Sequence, residues 1–355
     1  MATNVQTLPI RPSRPAIEID GRAQPRLEAG LVSYELCDSL DSMARAELVF
    51  GNWGGEDRPG FQHFDRRLLE FGKTIVVKQG ADKLFEGRIT AIAAEFPEGA
   101  PPQISVLAED RLQDLRMVRR TRCFAQASLG DVARQVARDH GLDPQVEVTA
   151  PAAPLLAQLN QSDLAFLTDL ARRYDADVRV EGTVLHVAPA REFPAVRLAW
   201  SGTLRSFRVA ADLANQRTAM VASGWDVARK EAIAHRAGKA AASQETGQDE
   251  AGADILQRAL GERVETIAHA VPASESEARQ IAEGAFRQMA RTFVSGEGVC
   301  ETSPQVRAGA KLELTGLGPL FDGTYRATSI AHLFDPEKGA RTEFSCHRAG
   351  LGRPA

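Results

Sequence analysis

One sequence pattern occurs twice in this chain, in segments far apart. The first copy occupies residues 72–96 and the second occupies residues 309–334. Each copy reads as a strand, a loop, a corner made of two apolar residues, an acid and a glycine, and then another strand. The two corners are Leu84-Phe85-Glu86-Gly87 and Leu320-Phe321-Asp322-Gly323. Glu86, Gly87, Asp322 and Gly323 are therefore predicted to be structural turn residues at equivalent positions.

A second pair of matching segments precedes these copies and aligns without a gap. The matched residues are Leu31, Ser33, Tyr34, Leu40, Ala46 and Gly51 in the first segment and Leu204, Ser206, Phe207, Leu213, Ala219 and Gly224 in the second. Two segments repeated in the same order predict a duplicated β-domain. Two copies do not make a solenoid, which needs at least three. A trimer of a twice-repeated chain would instead present six similar units.

The predicted fold class is α+β, with two antiparallel β-barrels and two smaller α/β modules. A chain of 355 residues is long enough for two to four domains. The predicted parts are a flexible arm (1–16), a first barrel (17–115), a helix–helix–hairpin module (116–192), a second barrel (193–227 plus 298–348), an inserted helical or α+β module (228–297) and a tail (349–355). The second barrel is thus expected to be interrupted by the insertion.

Helix-capping patterns locate three helices in the two smaller modules. Ser128 with Asp131 three residues later, and Gly141 as a stop signal, predict a helix between them. Ser162 is the expected N-cap of a second helix. The sequence Ser274-Glu-Ser-Glu277 is a capping box that predicts a third. A hairpin is expected between residues 177 and 187.

Composition excludes several broad classes of function. The net charge of −4 gives no general indication of nucleic-acid or membrane binding. No stretch approaches the roughly 20 apolar residues of a membrane span. The first fifteen residues have no apolar core of the signal-peptide type. The four cysteines, Cys37, Cys123, Cys300 and Cys346, are scattered and form no C-x-x-C pair, so they are expected to be small buried hydrophobic residues of a reducing compartment.

No motif of a catalytic, cofactor or metal site is found in the sequence. His140 is expected at a helix C-terminus, in a capping or surface position, and His332 is expected at an interface or on the surface. The arginine run (Arg111, Arg116, Arg119, Arg120 and Arg122) could face an acidic partner or DNA, or could form an ion-paired domain junction or solvated linker. It has no interleaved aromatic residues for base stacking.

Several of these segments resemble the late control protein D family, which comprises baseplate hub proteins of contractile phage tails and related injection particles. One is the run 159–174, which begins Leu159-Asn-Gln-Ser-Asp-Leu. Another is Gly224-Trp225-Asp226. The third comprises Pro304, Gly309, Leu312, Gly316-Leu317-Gly318, Phe321-Asp322-Gly323-Thr-Tyr325, His332 and Thr342 to Phe344. The resemblance covers roughly residues 17–348.

The resemblance implies a structural protein rather than an enzyme. It implies a homotrimer with two tube-protein-like barrels per subunit, arranged as a pseudo-hexameric ring that joins the six-fold inner tube to the three-fold central spike. Other baseplate proteins, the tape measure protein among them, would be further partners. Assembly is expected in the bacterial cytoplasm, with the mature protein in the baseplate. Type VI hub-spike fusions are similar in their first part alone, so the spike is expected to be a separate polypeptide.

Two other functions stay open from the sequence. The module between residues 123 and 187 has the size of a glycan-binding unit, which favours a peptidoglycan-binding tail-tip protein. A cell-wall hydrolase is the third hypothesis, although no acid–base constellation supports it. The sequence does not distinguish a phage tail from a phage-tail-like bacteriocin or an injection particle.

Overall fold

The computed structural model of the protein describes residues 14–55, 59–189, 193–227 and 229–353. The predicted arm lies mostly outside these residues, as does the end of the predicted tail. The dominant feature is a single sheet of thirteen strands, which come from both the N-terminal and the C-terminal parts of the chain. Around it lie an α/β module and an inserted module.

The first half of the sheet is built from residues 16–109. Alternating apolar residues give its strands one buried face, on which Leu48, Phe50, Ile75 and Val106 are fully buried. The elements are β1 (Ala16–Ile19), β2 (Arg22–Ala23), α1 (Pro25–Gly30), β3 (Leu31–Ser39), β4 (Ser42–Gly51), β5 (Trp53–Gly54), β6 (Gly60–Phe61), β7 (Thr74–Gln79), β8 (Asp82–Glu95), β9 (Gln103–Glu109) and α2 (Leu112–Arg116). Strands β5 and β6 form a small separate hairpin.

The α/β module follows as residues 119–189. Its elements are β10 (Arg119–Ala127), α3 (Leu129–Asp139), β11 (Asp143–Val146), β12 (Ala153–Ser162), α4 (Asp163–Arg173), β13 (Ala176–Glu181) and β14 (Val184–Pro189). The capping predictions for the two helices are confirmed, since Ser128 and Asp131 form a reciprocal capping box and the Ser162 side chain accepts from Ala165 N. The predicted hairpin is β13–β14.

The rest of the chain contains the second half of the sheet and the inserted module. Its elements are β15 (Val196–Ala199), β16 (Leu204–Ala211), β17 (Ala219–Asp226), β18 (Glu231–Ala237), a 3₁₀ turn (Lys239–Ala242), α5 (Ser243–Thr246), β19 (Glu250–Ala251), α6 (Gly252–Leu260), β20 (Val264–Ile267), α7 (Glu275–Arg291), β21 (Val294–Cys300), β22 (Lys311–Thr315), β23 (Gly323–Asp335), β24 (Gly339–Arg348) and β25 (Gly350–Leu351). Half of the predicted capping box of α7 is present, because Ser274 Oγ accepts from Glu277 N, whereas the Glu277 carboxylate accepts from Ala273 N instead of Ser274 N.

The two halves of the sheet have the same strand order. Neighbours run β3-β4-β9-β8-β7 in the first half and β16-β21-β24-β23-β22 in the second. Even single hydrogen bonds recur: Gly72 N donates to Ile89 O at 2.8 Å, and Gly309 N donates to Ala327 O at 2.8 Å. Both glycines have positive φ angles, +79° and +83°, which other residues adopt at a cost. This shared order supports the duplication that the sequence repeat predicts.

The pairing closes no barrel among the described strands, which differs from the two predicted barrels. The first half ends at β1 and β2, and the second half ends at β16. Strand β23 of the second half pairs with β3 of the first half instead. The two halves therefore share one continuous hydrogen-bonded surface. Among the described strands, open edges remain at β2, β15, β16 and residues 91–95 of β8.

The inserted module begins earlier and ends earlier than predicted. Strand β17 pairs with β18 and β20 in a separate three-stranded sheet, so residues 219–226 do not belong to the second half of the main sheet. The counterpart of β4 is β21, which pairs with β16 as β4 pairs with β3. The ungapped match of Ala46 to Ala219 is therefore wrong. The insertion, residues 212–293, replaces the tight turn at Leu40-Asp41.

The two halves meet where β23 pairs antiparallel with β3. Six residue pairs form this junction, from Ser329 opposite Ser39 to Phe334 opposite Tyr34. The Tyr34 and Phe334 rings stack with centroids 5.8 Å apart. His332 lies inside the junction, opposite Leu36, and is 3 % exposed. The expectation of a surface position for His332 is thus wrong, because its strand has a partner on each side.

A buried carboxylate holds the α/β module together. Asp163, at the first position of α4, is 1 % exposed and accepts from Arg122 and Gln158, each at 2.8 Å. Its other oxygen lies 3.1 Å from Arg120 Nε and 2.9 Å from His140 Nε2. This cluster ties β10 and β12 to the start of α4. Removing one charge from such a cluster leaves the others buried without compensation.

We predict that Asp163→Asn lowers the free energy of unfolding by about 3 kcal/mol, because the two arginines lose their buried counter-charge. Urea denaturation of the full chain measures this loss. The matched control is Asp169→Asn on the same helix, where the carboxylate is exposed; its effect should stay within about 0.5 kcal/mol. Equal effects of the two substitutions would contradict the assignment.

The buried His332 predicts a loss of stability in acid. Burial lowers the pKa of His332 from 6.5 to about 4, so the unfolded chain binds the proton before the folded one does. Above pH 6.5, His332 does not change the free energy of unfolding. As the pH falls from 6.5 to 4, His332 lowers the free energy of unfolding by up to about 3 kcal/mol. His332→Gln, which keeps a polar partner for Thr342, should remove this part of the acid dependence in denaturation curves recorded from pH 7 to pH 4.

Asp110 changes the free energy of unfolding with pH in the direction opposite to His332, because burial raises the pKa of its carboxyl from 3.8 to about 6. Its stabilising contribution is present in acid and is lost as the pH rises through 6. His332→Gln leaves this contribution in place, so the difference between wild type and variant at each pH isolates the histidine. Parallel stability curves for the two proteins would show that His332 does not titrate in this range.

Candidate functional site

The candidate site is a pair of unpaired strand edges, one in each half of the sheet. Among the described strands, β16 ends the sheet order with β21 as its one strand neighbour, and its first residue, Leu204, also forms an isolated bridge to Trp200. Residues 91–95 of β8 pair with β9 on one side. On their other side the pairing with β7 stops at Arg88, and no strand within the described ranges takes its place. Exposed edges of this kind offer unsatisfied N–H and C=O groups to another chain.

The strand registers define which residues of the two halves are equivalent. In β23 and β8, Ala327 corresponds to Ile89, and each strand has its register shift directly after that residue. Residues 329–334 therefore correspond to residues 91–96. In β16 and β3, Leu204 corresponds to Leu31, again with a shift directly after. Residues 207–212 therefore correspond to residues 34–39.

Exposure separates the unpaired edges from their paired counterparts. Phe96 is 65 % exposed, whereas its counterpart Phe334 at the junction is 8 % exposed. Ala94 is exposed, whereas its counterpart His332 is buried. Phe207 is half-buried and corresponds to the buried Tyr34. The same strand positions are thus covered at the junction inside the chain and open at the two free edges.

The two free edges carry opposite charges at positions whose counterparts, Leu333 and Glu35, face each other at the junction. Glu95 on β8 and Arg208 on β16 are both exposed. Neither side chain has an ion pair or hydrogen bond to any residue that the structure describes. An acidic edge and a basic edge of this kind are complementary to each other rather than to a second copy of themselves.

An exposed aromatic cluster lies next to the β8 edge. Phe61 stacks on Phe64 with centroids 4.8 Å apart, and Trp53 meets the edge of Phe61 at 5.3 Å. Phe96 joins the cluster through Phe64 at 5.7 Å. Trp53 and Phe61 are each about half exposed. Contiguous exposed aromatic residues are typical of interaction surfaces, so this cluster extends the candidate site beyond the strand edge.

A cavity of about 510 Å³ lies beside the junction of the two halves. Among its lining residues, Asp38 accepts from Ala308 N at 3.2 Å, and Asp110 accepts from Ala44 N at 2.8 Å. Burial raises the pKa of both carboxyls. Each of these carboxyl groups accepts a hydrogen bond from the backbone of a neighbouring segment. We therefore interpret these lining residues as structural contacts between segments.

The predicted corner residues do not occupy equivalent positions. Glu86 and Gly87 lie inside β8, opposite Val76 and Ile75. The strand registers make Thr324, rather than Asp322, the counterpart of Glu86. Glu86 forms an ion pair with Lys83 at 2.6 Å, so it is a strand residue and its assignment to a turn is wrong. The aligned corner is therefore two residues out of register.

The glycines of both corners are required by close packing. A Cβ atom on Gly87 would lie 2.6 Å from the carbonyl oxygen of Glu109. Gly323 begins β23 with a φ of +145°, and a Cβ atom there would meet the Arg348 guanidinium at 2.6 Å. Asp322 does lie in a turn, where its side chain accepts from Leu317 N at 2.5 Å.

Gly224 and Trp225 lie in the inserted module, in a three-stranded sheet separate from the main sheet. Both belong to β17. A Cβ atom on Gly224 would lie 1.9 Å from the carbonyl oxygen of Pro272, so only glycine fits there. Trp225 is 51 % exposed. The structure therefore gives Gly224 a packing role and leaves Trp225 on the surface.

The arginine run is bonded within the chain. Arg116 pairs with Glu109 at 3.1 Å, Arg122 pairs with Asp139 at 2.6 Å, and Arg119 donates to Asn160 O at 3.1 Å. Arg111 donates to His140 O, and Arg120 lies beside Asp163. Of the two interpretations, these contacts favour the ion-paired domain junction. His140 is the C-cap residue of α3, as expected, but it also contacts Asp163.

Two features are absent from the described part of the chain. It contains no group of three or more His, Cys, Asp or Glu side chains placed to hold a metal ion. None of its helices combines the length and the apolar character needed to cross a bilayer.

Sequence reasoning missed the residues that now define the site. No sequence motif contains Glu95, Arg208 or the alanines of residues 91–94. The repeat alignment included Phe96 and Phe207, but it did not indicate that their strands are unpaired. The match of Tyr34 to Phe207 was the available signal, since it places an aromatic residue at the same position of both halves.

Comparison with solved structures relates this fold to tail proteins. The 43 kDa tail protein of prophage MuSo2 from Shewanella oneidensis matches with a TM-score of 0.67 and 14 % identity, over 95 % of this chain and 98 % of that chain. A tail protein from Neisseria meningitidis MC58 gives a TM-score of 0.67 and 12 % identity, over 96 % and 97 % of the two chains.

A third similar structure is the c3393 protein of E. coli, which is described as a component of the type VI secretion system. It gives a TM-score of 0.61 and 11 % identity, over 96 % of this chain and 79 % of that chain. At these identities the likeness shows the fold that the proteins share.

Sequence comparison gives one family. No curated protein matches the sequence significantly. The model of the family described as "Alg8 N-terminal domain" matches residues 13–335, which is most of the chain. The chain belongs to this Alg8 N-terminal domain family, with the fold of phage tail proteins.

Proposed function

We propose that the protein is the structural hub of a baseplate in a contractile tail or injection particle. Three copies form a ring of six similar half-sheets, which joins the six-fold inner tube on one side to the three-fold central spike on the other. The hub has no catalytic role. It is assembled in the bacterial cytoplasm and ends in the baseplate of the finished particle.

One observation carries this proposal: the chain contains two half-sheets of the same strand order, joined edge to edge through β23 and β3, while the counterparts of these two edges, on β8 and β16, are unpaired. A chain of this design can repeat its internal junction between copies. Copies joined head to tail form a closed ring when the rotations from each copy to the next add up to a full turn. Two similar units in each chain let three copies present a hexagonal face.

The resemblance of residues 17–348 to late control protein D hubs supports the finer parts of the proposal. It supports the trimer, the tube and spike proteins as direct partners, and the tape measure protein among the further baseplate partners. The shared fold with tail proteins is consistent with each of these. Direct contact with nucleic acid is not proposed, because the arginine run is bonded within the chain.

The expected mass of the assembly tests the proposal. Light scattering after size exclusion should give three times the 38.4 kDa mass of the chain, alone or after addition of the spike protein. Addition of preassembled tube should then place the trimer at one end of the tube in electron micrographs. A chain that stays monomeric with both partners present would overturn the proposal.

A further inference from the structure

The strand junction inside the chain predicts the contact between copies. We propose that the free edge of β8 pairs antiparallel with the free edge of β16 of the next copy, in the register that β23 and β3 use within one chain. This inference rests on the proposed ring and adds the residues that would close it. The partner that pairs with each free edge is a second copy of this chain.

The register follows residue by residue from the junction within the chain. The six pairs formed by residues 329–334 and 34–39 are transferred to residues 91–96 and 207–212. The resulting pairs are Ala91 with Asp212, Ile92 with Ala211, Ala93 with Ala210, Ala94 with Val209, Glu95 with Arg208 and Phe96 with Phe207. Small or apolar residues fill most of these positions, so the strands can approach each other closely.

Charge at the fifth pair supports this register. Within the chain that pair is Leu333 with Glu35, and between copies it becomes Glu95 with Arg208. Opposite charges directly across a strand pair stabilise it, and like charges oppose it. Both side chains are exposed. Arg208 already lies opposite Glu297 of β21 within the chain, so the new pair would place Arg208 between two carboxylates.

The aromatic pair at the end of the ladder supports the same register. Tyr34 and Phe334 stack across the junction, and the transferred pair is Phe96 with Phe207. Phe207 already packs against Tyr325 and Phe344, at 5.7 and 6.2 Å. Phe96 would leave water and complete this cluster, which accounts for a large aromatic side chain that is 65 % exposed in one copy.

The two edges are unsuited to pair with themselves. Pairing of two β8 edges would bring a glutamate toward a glutamate, and pairing of two β16 edges would bring an arginine toward an arginine. The complementary pairing is head to tail, which leaves the same two edges free at the ends of any open chain of copies. Ring closure satisfies both edges at once.

Engineered cysteines test the register under conditions in which the wild-type chain forms its trimer. The background carries Cys123→Ser, because Cys123 is exposed, contrary to the expectation that the native cysteines are buried. Glu95→Cys with Arg208→Cys places the two sulfur atoms directly opposite each other. The control, Ala93→Cys with Arg208→Cys, shifts one partner by two residues, to a Cβ separation of roughly 7 Å.

Mild oxidation should convert the in-register pair into covalently linked dimers and trimers on a non-reducing gel, while the shifted pair should give several-fold less. A trimer that cross-links equally at both pairs, or at neither, would overturn the register and leave the proposed ring in place. Absence of any trimer, alone or with the spike protein, would overturn the proposed function and this inference together.

Charge reversal supplies a test that does not depend on disulfide geometry. Glu95→Arg and Arg208→Glu should each raise the midpoint concentration of trimer assembly roughly ten-fold, and the double variant should restore it to within about three-fold of wild type. Glu98→Arg, in the turn after the same strand, is the matched control and should have no effect. Failure of the double variant to recover would contradict the direct pairing of the two side chains.

Discussion

The pairing of β23 with β3 is the contact on which the rest of the architecture depends. It joins two half-sheets of the same strand order into a single surface and buries Tyr34, Phe334 and His332 in doing so. Because the two halves have the same strand order, using β23 and β3 inside the chain leaves their counterparts, residues 91–96 and β16, for use outside it. The internal joint therefore determines both the integrity of the monomer and the form of its assembly.

The sequence was sufficient to predict the N-caps of the helices at Ser128, Ser162 and Ser274. These features depend on local signals, such as the reciprocal bonds of Ser128 and Asp131, which nearby residues alone can make. The alignment of Glu86 with Asp322 failed for the opposite reason. A register shift within a strand moves the true counterpart by two residues, and a shift of that kind leaves no trace in composition.

The unpaired edges could not be predicted from the sequence, because pairing is a property of the whole sheet. Phe96 and Phe334 occupy corresponding positions and are both aromatic, yet one is exposed and the other buried. The difference arises because β3 pairs with the strand end at Phe334, whereas no described strand pairs with the strand end at Phe96. The barrels failed as a prediction for the same reason, since a strand pattern does not indicate whether a sheet closes on itself or joins its neighbour.

The insertion has a consequence for the order of folding. In the first half, β3 and β4 are joined by a turn, so their hairpin can form within microseconds. In the second half the same pair, β16 and β21, is separated by residues 212–293. Closing a longer loop costs more chain entropy and slows pairing between distant segments. The first half can therefore form early and present the edge of β3 as a template on which the second half completes.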